Sequence, residues 1–369
     1  MKSKTSNLII VIGFCLFIFG FFIAMLALPD KDVSAEERRK LQQVPEFSFE
    51  ALASGKFTKD ADKYAADQFP LRQELRSLKA GWQFNVFRQK DNNGIFLAGG
   101  SVCKLTGELD KVQLNALISK VNDVYDTYLS GMRVYFANIP DKSYFAAGDK
   151  GYPALDYEAL DKALEDGLRE EIQYLGYSAT QELTLEDYYA TDLHWRQECL
   201  QSVLDGLAAE MGFSAPDISQ WSVTEYSPFF GAYFGQSALN VGHDTIKCLS
   251  SAATEASVVT GLEIDGEKAV YDPADFEGLD GYSVFLSGPQ ALLTVENPQG
   301  ETGRELYIFR DSFSSSFAPL LLESYDKITL IDLRYMASAL LGDFVEFEPG
   351  ADVLFLYSTE ILNNGFLLK

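Results

Sequence analysis

The fold of this 369-residue chain is decided by the stretch RELYIFRDSFSSSFAPLLLESYDKITLIDLRY, residues 304–335. It begins with a short apolar run, Leu306 to Phe309, which has the length of a buried strand. The polar residues Arg310-Asp311-Ser312 end this run, an apolar segment with helical spacing follows, and Ile328 to Leu333 predicts a second strand. This order predicts one parallel crossover unit. Its polar turn lies at the carboxyl end of a strand, where open α/β sheets bind ligands.

The same alternation of helices and strands continues through the rest of the chain. Helical spacing runs from Leu109 to Tyr128, a buried strand from Met132 to Ile139, and a second amphipathic helix from Leu155 to Leu175. A last buried strand is predicted from Asp352 to Tyr357. Val258 to Tyr271 and Ser283 to Val295 resemble antiparallel strands, so the region around 255–300 is predicted to be a β insertion or an extension of the sheet. The pattern predicts an α/β fold whose sheet is covered on both faces.

Composition narrows the classes of partner that this chain can bind. The hydrophobic fraction of 47% and the aromatic fraction of 13% exclude a disordered chain. The formal net charge of -24 argues against nucleic acid as a partner, because phosphate contacts need clustered Lys and Arg. A neutral or weakly charged ligand suits such a surface better than a polyanion does.

The N-terminus predicts a membrane anchor. An unbroken apolar segment from Leu8 to Leu28 has the length of a membrane-spanning helix, and residues 1–7 form a short tail that contains Lys2 and Lys4. Because basic residues stay on the cytoplasmic side, the rest of the chain is expected outside the cell membrane as a single-pass protein. Val33-Ser34-Ala35 leaves open the alternative that a signal peptidase releases the chain.

Two further regions follow the anchor. Residues 29–90 are predicted to form a stalk and a membrane-proximal helical cap, with the charged segment Ser34 to Gln43 as a helical stalk. Residues 91–369 are predicted to form the α/β domain. Outside the apolar segment, three widely spaced cysteines indicate neither a disulfide framework nor a metal knuckle, and they leave open one disulfide between two of them. With two histidines in the chain, a His-rich metal centre is not expected, and we predict no metal and no cofactor.

Asp192 and His194 form the first part of a candidate site. In an extended segment, residues two apart point to the same face with Cα atoms about 6.6 Å apart. A carboxylate at that distance reaches the imidazole Nδ1 and fixes its tautomer, so that the other ring nitrogen is free to take a proton from a hydroxyl. The structural alternative for an isolated Asp-x-His is a surface turn.

Ser312 supplies the second part, a hydroxyl on a strand-to-helix turn. With His194 as base and Asp192 as its orienter, it completes the parts of a nucleophilic site. The backbone N–H groups of Ser312 and Phe313 are the predicted oxyanion donors. Arg310 or Lys142 is predicted to add positive charge near the developing oxyanion, with the alternative that Arg310 pairs with Asp311 or Asp332. Tyr189 and Trp195 are predicted to shelter the pair from water, and all four residues are predicted to contact the substrate.

Several alternatives to this site remain open at the level of the sequence. Asp311 and Ser312 also fit the simple role of capping the helix that follows them. Ser314, Ser315 and Ser316 are rival nucleophiles further into the helix. His243, in Val241-Gly-His-Asp244, is the other candidate base.

Two motifs resemble those of a known family. Thr191-Asp-Leu-His-Trp195 and Arg310-Asp-Ser-Phe313 are similar to the two signatures of DHHW proteins and of the related AlgX/AlgJ-like alginate O-acetyltransferases in the SGNH hydrolase superfamily. Asp67-Gln-Phe-Pro-Leu-Arg72 and Ile139-Pro-Asp-Lys142 resemble further DHHW patterns. The serine follows Arg-Asp where superfamily members usually show Gly-Asp, and position 193 is Leu where the family name implies a second histidine.

The resemblance implies a fold and a function. It implies an SGNH-hydrolase-like three-layer α/β/α sandwich with a central, mostly parallel sheet, a Ser-His-Asp triad of Ser312, His194 and Asp192, and a membrane-tethered location. It also implies O-acetylation of a cell-surface polysaccharide. Because an acetyl donor outside the membrane needs a carrier, a membrane-bound O-acyltransferase is implied as a partner.

Two classes of function therefore compete. The first is an O-acetyltransferase or acetylesterase, which share their chemistry and differ in whether a sugar hydroxyl or water accepts the acetyl group. The second is a non-catalytic protein of the cell envelope that binds a glycan or assembles with a membrane partner on an SGNH-like scaffold. The aromatic residues from Tyr226 to Phe234 suit carbohydrate stacking in that case. A glycoside hydrolase is disfavoured because no carboxylate pair is evident.

Overall fold

The chain folds into two compact units. The computed structural model describes residues 2–369. The first unit contains the residues up to Asn92 together with Phe234–Asn240, and the second contains Asn93–Tyr233 and Val241–Lys369. All four cysteines are free thiols.

The first unit begins with the long apolar helix α1 (Lys2–Ala27). Within residues 2–369, its section Thr5–Ala27, with a mean hydropathy of 3.0, is the one helix long and apolar enough to cross a membrane. Short elements follow it: β1 (Val33–Ser34), β2 (Arg39–Lys40), α2 (Phe49–Ala53), α3 (Lys56–Asp67) and α4 (Arg72–Asn85).

The prediction of a helical stalk over Ser34 to Gln43 is wrong. This segment forms the antiparallel pair of β1 and β2, in which Ser34 faces Arg39. The guanidinium of Arg39 donates to both oxygens of Asp67 at 2.9 and 2.6 Å, and the Gln42 N–H donates to the same carboxylate at 2.9 Å. These charge-assisted contacts hold the segment against the end of α3 and override its intrinsic helix preference.

The elements beyond residue 92 alternate between helices and strands. The helices are α5 (Lys111–Val124), α6 (Lys142–Lys150), α7 (Tyr157–Gly167), α8 (Gln201–Met211), α9 (Ala232–Ser237), α10 (Ala252–Ala256), α11 (Pro273–Phe276), α12 (Ser314–Phe317), α13 (Leu341–Phe344) and α14 (Thr359–Leu362). The strands are β3 (Ile95–Ala98), β4 (Ser101–Lys104), β5 (Arg133–Ile139), β6 (Ile172–Gly176), β7 (Ser222–Phe229), β8 (Asp244–Ser250), β9 (Val258–Gly261), β10 (Lys268–Ala269), β11 (Leu292–Glu296), β12 (Glu305–Arg310), β13 (Lys327–Ile331) and β14 (Asp352–Ser358).

A mostly parallel sheet of eight strands organises the second unit. Its order is β10-β9-β11-β13-β12-β14-β5-β6. The pairs from β13 to β6 are parallel, whereas β11, β9 and β10 extend the sheet in antiparallel fashion. The region around 255–300, predicted as a β insertion, thus supplies the antiparallel side of the main sheet. Within it, Gly281–Val284 is a 3-10 turn, and the predicted strand there is confined to Leu292–Glu296.

Alternating side chains of the strands bury two hydrophobic clusters. On β12, Leu306 and Ile308 belong to the cluster that includes Leu204 and Leu207 of α8. The intervening Tyr307 and Phe309 belong to the cluster that includes residues of α5 and α7. Because neighbouring residues of a strand point to opposite faces, these two clusters lie on the two sides of the sheet. Helices therefore cover both faces, which gives three layers.

The crossover unit predicted from residues 304–335 is present. Strands β12 and β13 are adjacent and parallel, with Leu306 opposite Ile328. The α-helix in this connection is shorter than the apolar spacing of the sequence predicts. Helix α12 comprises four residues, and a 3-10 turn over Ala318–Leu321 follows it. Pro319 in this turn has no N–H to continue an α-helix.

Candidate active site

Polar residues tie together the carboxyl ends of the central strands. Asp311 follows β12, and its Oδ2 accepts the backbone N–H of Ser358 at the end of β14 at 2.7 Å. Thr359 in turn donates its hydroxyl to the carbonyl of Ile139, the last residue of β5, at 3.1 Å. Ser312 is therefore presented at an edge whose three strand ends are bonded to one another.

The loop Tyr188–Trp195, which we name the 188–195 loop, brings a second group of polar residues to this edge. Tyr188 and Trp195 face each other in an antiparallel bridge, and the Tyr189 N–H donates to the His194 carbonyl at 3.1 Å. The residues between them form successive bends, so the prediction of an extended segment at Asp192 and His194 is wrong. The carboxylate of Asp192 instead accepts the His194 N–H at 3.0 Å, which curls the chain and brings the two side chains together.

Three predicted site residues form one hydrogen-bonded chain. His194 Nδ1 lies 2.5 Å from Asp192 Oδ1, and His194 Nε2 lies 2.8 Å from Ser312 Oγ. The serine and the histidine are 118 residues apart in sequence. Asp192 is 0% and His194 4% exposed, whereas Ser312 is half-buried. The hydroxyl is therefore the member of the chain that solvent or a substrate reaches.

The second oxygen of Asp192 is held by the segment that begins at Gly231. The Ala232 N–H donates to Asp192 Oδ2 at 2.8 Å, and the Gly231 N–H donates to Thr191 Oγ1 at 2.9 Å. A Cβ on residue 231 would collide with the Cβ of Asp192 and the carbonyl oxygen of Thr191. Glycine is thus required for this close approach, which gives the buried carboxylate its third N–H donor.

Asp244 and Lys142 hold the backbone of the 188–195 loop. Asp244 accepts the N–H groups of Ala190 and Thr191 at 2.8 and 2.7 Å and also the Thr191 hydroxyl. Lys142 is 2% exposed, and its Nζ donates to the carbonyls of Tyr189, Ala190 and Asp192 at 2.8, 3.2 and 3.1 Å. Three carbonyl acceptors match the three N–H donors of an ammonium group. Burial lowers the pKa of Lys142 to about 8, while nearby acidic groups such as Asp192 oppose this shift.

Aromatic rings surround the imidazole. The ring of Tyr282 stacks on that of His194 with centroids 3.8 Å apart and an angle of 6°, and the ring of Phe313 lies 4.8 Å away. The Tyr282 hydroxyl and the Trp195 Nε1 both donate to Ser316 Oγ, at 2.9 and 3.0 Å. These contacts fix the plane of the imidazole and exclude water from its sides.

The turn at the candidate nucleophile offers one of the two predicted oxyanion donors. The Phe313 N–H donates to Asp311 Oδ1 at 3.0 Å, so the prediction that it stabilises an oxyanion is not supported. The Ser312 N–H has no acceptor within residues 2–369 and is available to a developing oxyanion. Asp311 thus closes the turn before α12, whose N-cap residue Phe313 has no side-chain cap, so the alternative that Asp311 and Ser312 cap this helix is wrong. Ser312 is the hydroxyl that meets the histidine.

The four residues predicted to bind substrate do not expose their side chains. Lys142, Arg310, Tyr189 and Trp195 are among the largest fully buried side chains of the protein. The Arg310 Nη1 donates to Ser315 Oγ at 2.6 Å, and burial lowers the pKa of this guanidinium. The ring of Tyr189 packs against Phe229 with centroids 5.4 Å apart. The prediction of direct substrate contact is therefore wrong for these residues. They pack beneath the site and hold neighbouring segments in place.

Two of the three rival serines have other hydrogen-bond partners, and the third is buried without one among residues 2–369. Ser315 accepts from Arg310, Ser316 accepts from Trp195 and Tyr282, and Ser314 is fully buried. His243, the other candidate base, is exposed, and its ring lies 6.0 Å from that of Phe230. Of the two histidines, His194 is the one hydrogen-bonded to Ser312.

Sequence reasoning missed the residues that surround this chain of hydrogen bonds. Tyr282, Gly231, Ala232 and Asp244 come from segments that carry no motif of their own. Gly231-Ala232, within an aromatic stretch, was the one local pattern that could have indicated this contact, because glycine has no Cβ and allows two backbones to approach closely. The position of Tyr282 follows from the path of the antiparallel extension, which no local pattern encodes.

Comparisons with known proteins agree with this architecture. No protein-family model matches the sequence, and no curated protein matches it. Among solved structures, the chain is similar to a DHHW family protein from Eubacterium siraeum, at 18% identity and a TM-score of 0.60, over 74% of this chain and 93% of that chain. It is also similar to PatB1 of Bacillus cereus, at 15% identity and a TM-score of 0.58, over 74% of this chain and 98% of that chain.

A second PatB1 structure, which contains a sulfonyl adduct, is similar at 15% identity with a TM-score of 0.57, over 73% of this chain and 95% of that chain. At these identities, the similarity concerns the fold. The resemblance to DHHW proteins that the two motifs predicted is confirmed at that level. The chain has the predicted three-layer α/β/α architecture with a large, mostly parallel sheet and an N-terminal apolar helix.

Proposed function

We propose that this protein is a membrane-anchored, extracytoplasmic acyltransferase or esterase that acts on O-acetyl groups of a cell-surface polysaccharide. The observation that carries the proposal is the hydrogen-bonded chain of Asp192, His194 and Ser312, with the hydroxyl at the accessible end. The two motifs and the SGNH-like fold support the O-acetyl class. In this proposal, helix α1 anchors the chain in the membrane, and Lys2 and Lys4 lie on the cytoplasmic side.

In the first half-reaction, Ser312 takes an acetyl group from an ester. His194 Nε2 accepts the proton of the Ser312 hydroxyl as Oγ attacks the carbonyl carbon, and the Ser312 N–H donates to the oxyanion. The tetrahedral intermediate then expels the alcohol, which leaves with the proton from His194. The products are acetyl-Ser312 and the free alcohol. Throughout, Asp192 holds the imidazole and stabilises its protonated form.

The second half-reaction repeats these steps with a new acceptor. A sugar hydroxyl or a water molecule gives its proton to His194 Nε2 and attacks the acetyl carbonyl. The collapse of the second intermediate returns the proton to Ser312 Oγ and releases the acetylated sugar or acetate. The two outcomes differ only in the acceptor, so transfer and hydrolysis share every protein group named above.

The geometry favours an enzyme over the alternative of a non-catalytic envelope protein. A glycan-binding scaffold does not need a buried carboxylate, an imidazole and an accessible hydroxyl in hydrogen-bond contact. Here the imidazole Nε2 and the hydroxyl Oγ lie 2.8 Å apart.

The source of the acetyl group is a further part of the proposed function. Because acetyl groups outside the membrane need a carrier, a membrane-bound O-acyltransferase is the class of partner that would supply them.

The test is covalent labelling of the full chain in detergent. Incubation with p-nitrophenyl acetate is expected to add an acetyl group to Ser312, which is located by mass spectrometry of peptides. PatB1 has been described with a sulfonyl adduct, so a sulfonyl fluoride is a second probe for the same hydroxyl. Ser312→Ala and His194→Ala are expected to abolish or strongly reduce both adducts.

Ser314→Ala is the matched control, since this buried neighbour lies two residues away and its hydroxyl has no hydrogen-bond partner within residues 2–369. It is expected to label like the wild type. The enzymatic proposal is lost if Ser312→Ala or His194→Ala turns the ester over as fast as the wild type does. Addition of an acetylated and a free oligosaccharide then separates the esterase from the transferase.

A further inference from the structure

Helix α4 carries an apolar stripe that nothing in its own unit covers. Along the helix and its two flanking residues, large apolar side chains recur at intervals of three or four positions, which places them on one side. Their exposed fractions are high: Leu71 58%, Leu75 39%, Leu78 57%, Trp82 52% and Val86 56%. Phe87, directly after them, is 69% exposed. A contiguous exposed stripe of this kind marks an interaction surface.

The charge around the stripe is opposite to that of the protein. Residues 69–90 contain five basic residues and one acidic residue, in a chain whose net charge is -24. Arg72 and Arg76 pair with Glu37. Lys79, Arg88 and Lys90 have exposed side chains. The surface next to the stripe is therefore positive, and it suits an anionic partner.

The start of α4 is fixed next to the segment that is able to span a membrane. Within the first unit, the ring of Phe69 stacks on that of Phe21, a residue of Thr5–Ala27, with centroids 5.1 Å apart and an angle of 13°. Gln68 accepts the Lys31 N–H at 3.0 Å, and Tyr64 donates to Asp30 at 3.0 Å. These contacts place the start of α4 beside the end of α1, where that helix would leave the apolar layer.

We propose that α4 lies in the surface of an anionic lipid bilayer, with Leu75, Leu78 and Trp82 inserted between the acyl chains near the headgroups. Helices with leucine and tryptophan on one face and lysine and arginine beside it bind membranes in this orientation. Trp82 has an apolar ring and one N–H donor, which suits the boundary between the acyl chains and the headgroups. Lys79 and Arg88 lie where they contact lipid phosphates. The protein would thus have a second membrane attachment beside α1.

The experiment measures the surroundings of Trp82 in the full chain reconstituted into lipid vesicles. Trp195 and Trp221 also fluoresce, so the emission of a Trp82→Phe variant is subtracted to isolate the signal of Trp82. One set of vesicles contains brominated phosphatidylcholine mixed with phosphatidylglycerol, and a second set contains brominated phosphatidylcholine alone. Iodide in the aqueous phase is the opposing quencher.

We expect brominated acyl chains to quench most of the Trp82 emission and iodide to quench little of it. Quenching by bromine is expected to be stronger in the anionic vesicles, and added salt is expected to remove this difference. In Leu75→Ser/Leu78→Ser, Trp82 is expected to become accessible to iodide. The control Leu262→Ser/Leu340→Ser, which changes two leucines that are 51% and 48% exposed in the other unit, is expected to behave like the wild type.

Two outcomes overturn the proposal. If iodide quenches Trp82 and brominated lipids do not, α4 lies in water. If neither quencher reaches Trp82, protein covers the stripe, either a second copy of this chain or another membrane protein. Circular dichroism of each variant reports whether α4 and the rest of the fold are retained. Because these measurements do not involve Ser312, failure here is distinguishable from failure of the proposed acyl transfer.

Discussion

Asp192 is the residue on which the geometry of the candidate site depends most directly. It is fully buried and accepts three N–H donors, the backbone and Nδ1 of His194 and the backbone of Ala232. A buried carboxylate is tolerated when its oxygens are bonded in this way. Its negative charge is then directed at the imidazole, which needs such a partner when it carries the proton in the reaction.

Replacing Asp192 with asparagine removes this charge while keeping the shape of the side chain. We expect Asp192→Asn to lower kcat for ester turnover by roughly 10³- to 10⁴-fold with a small effect on KM, because the imidazolium and its tautomer lose their partner. Asp217→Asn, at an exposed helix cap, is the control and is expected to retain activity. Steady-state kinetics of both variants check this prediction. Equal kcat values for Asp192→Asn and the wild type would contradict it.

Lys142 gives a prediction about pH. Burial lowers its pKa from 10.5 to about 8 in the folded protein. Between these values the unfolded chain binds more protons than the folded chain, so the contribution of this group to the free energy of unfolding rises with pH, by at most about 3 kcal/mol. Below about pH 8 both states carry the proton, and the cost of burying the charge stays constant.

Lys142→Met is expected to lack this increase in stability with pH. Denaturant unfolding of the wild type and the variant in the same detergent, at pH 8 and pH 10, measures the difference, because other titrating groups cancel in the comparison. Lys120→Met is the control and is expected to follow the wild type. Lys142→Met should also lower activity by roughly 10- to 100-fold, since the 188–195 loop loses three hydrogen bonds. An identical pH response of Lys142→Met and the wild type would show the interpretation to be wrong.

At the scale of single elements, the site is assembled from a strand end and two loops. Strand β12 presents Ser312, the 188–195 loop presents His194 and Asp192, and the segment at Gly231 closes over the carboxylate. The loops contain little regular structure, so their positions are set by contacts such as those of Asp244 and Lys142. Small displacements of one loop are therefore transmitted to the distance between His194 and Ser312.

Gly231→Ala tests the close approach of these two segments. The added methyl group would collide with Asp192 and Thr191, so we expect a loss of stability of about 1–3 kcal/mol and a fall in activity of about 10²-fold or more. Gly148→Ala is the matched control, because a Cβ at that helical position has no neighbour within 4 Å. Thermal unfolding and ester turnover of the two variants are compared. Wild-type activity in Gly231→Ala would mean that the segments separate without consequence for the site.

The elements also show what the sequence was able to predict. The apolar run 306–309 and the run at 328 predicted two parallel neighbours in the sheet, because strand length and apolar content are local properties. The pairing of His194 with Ser312 was predicted from two motifs together. The burial of Lys142 and Arg310 was not predicted, since the direction of a long charged side chain depends on which segments pack around it. The bends at 190–194 were missed because one carboxylate reorganises them through a backbone N–H.

At the scale of the whole molecule, the net charge of -24 is expected to influence which acetyl esters are favoured as substrates. We expect kcat/KM for an anionic acetyl ester to be lower than for a neutral one of similar size, because the surface repels the anion as it approaches. Rising ionic strength should increase turnover of the anionic ester and leave that of the neutral ester nearly unchanged. Stopped-flow or steady-state assays over a salt series measure this. A similar salt response for both esters would exclude long-range repulsion.

The location of the second unit gives a further prediction at this scale. In intact cells, a membrane-impermeant maleimide is expected to label Val223→Cys, which is at a 51% exposed position, if this unit lies outside the membrane. The background for this experiment carries Cys199→Ser, since that cysteine is half-buried. The same chain without Val223→Cys is the control. Labelling only after the cells are broken would place the unit on the cytoplasmic side.

The separation of 118 residues between the base and the hydroxyl has a consequence for synthesis of the chain. His194 leaves the ribosome first, and Ser312 follows only when most of the 369 residues have been made. Under the proposed function, a nascent or truncated chain would hold an imidazole with no hydroxyl to deprotonate. Turnover of esters would then begin only when strand β12 joins its neighbours and brings Ser312 to His194.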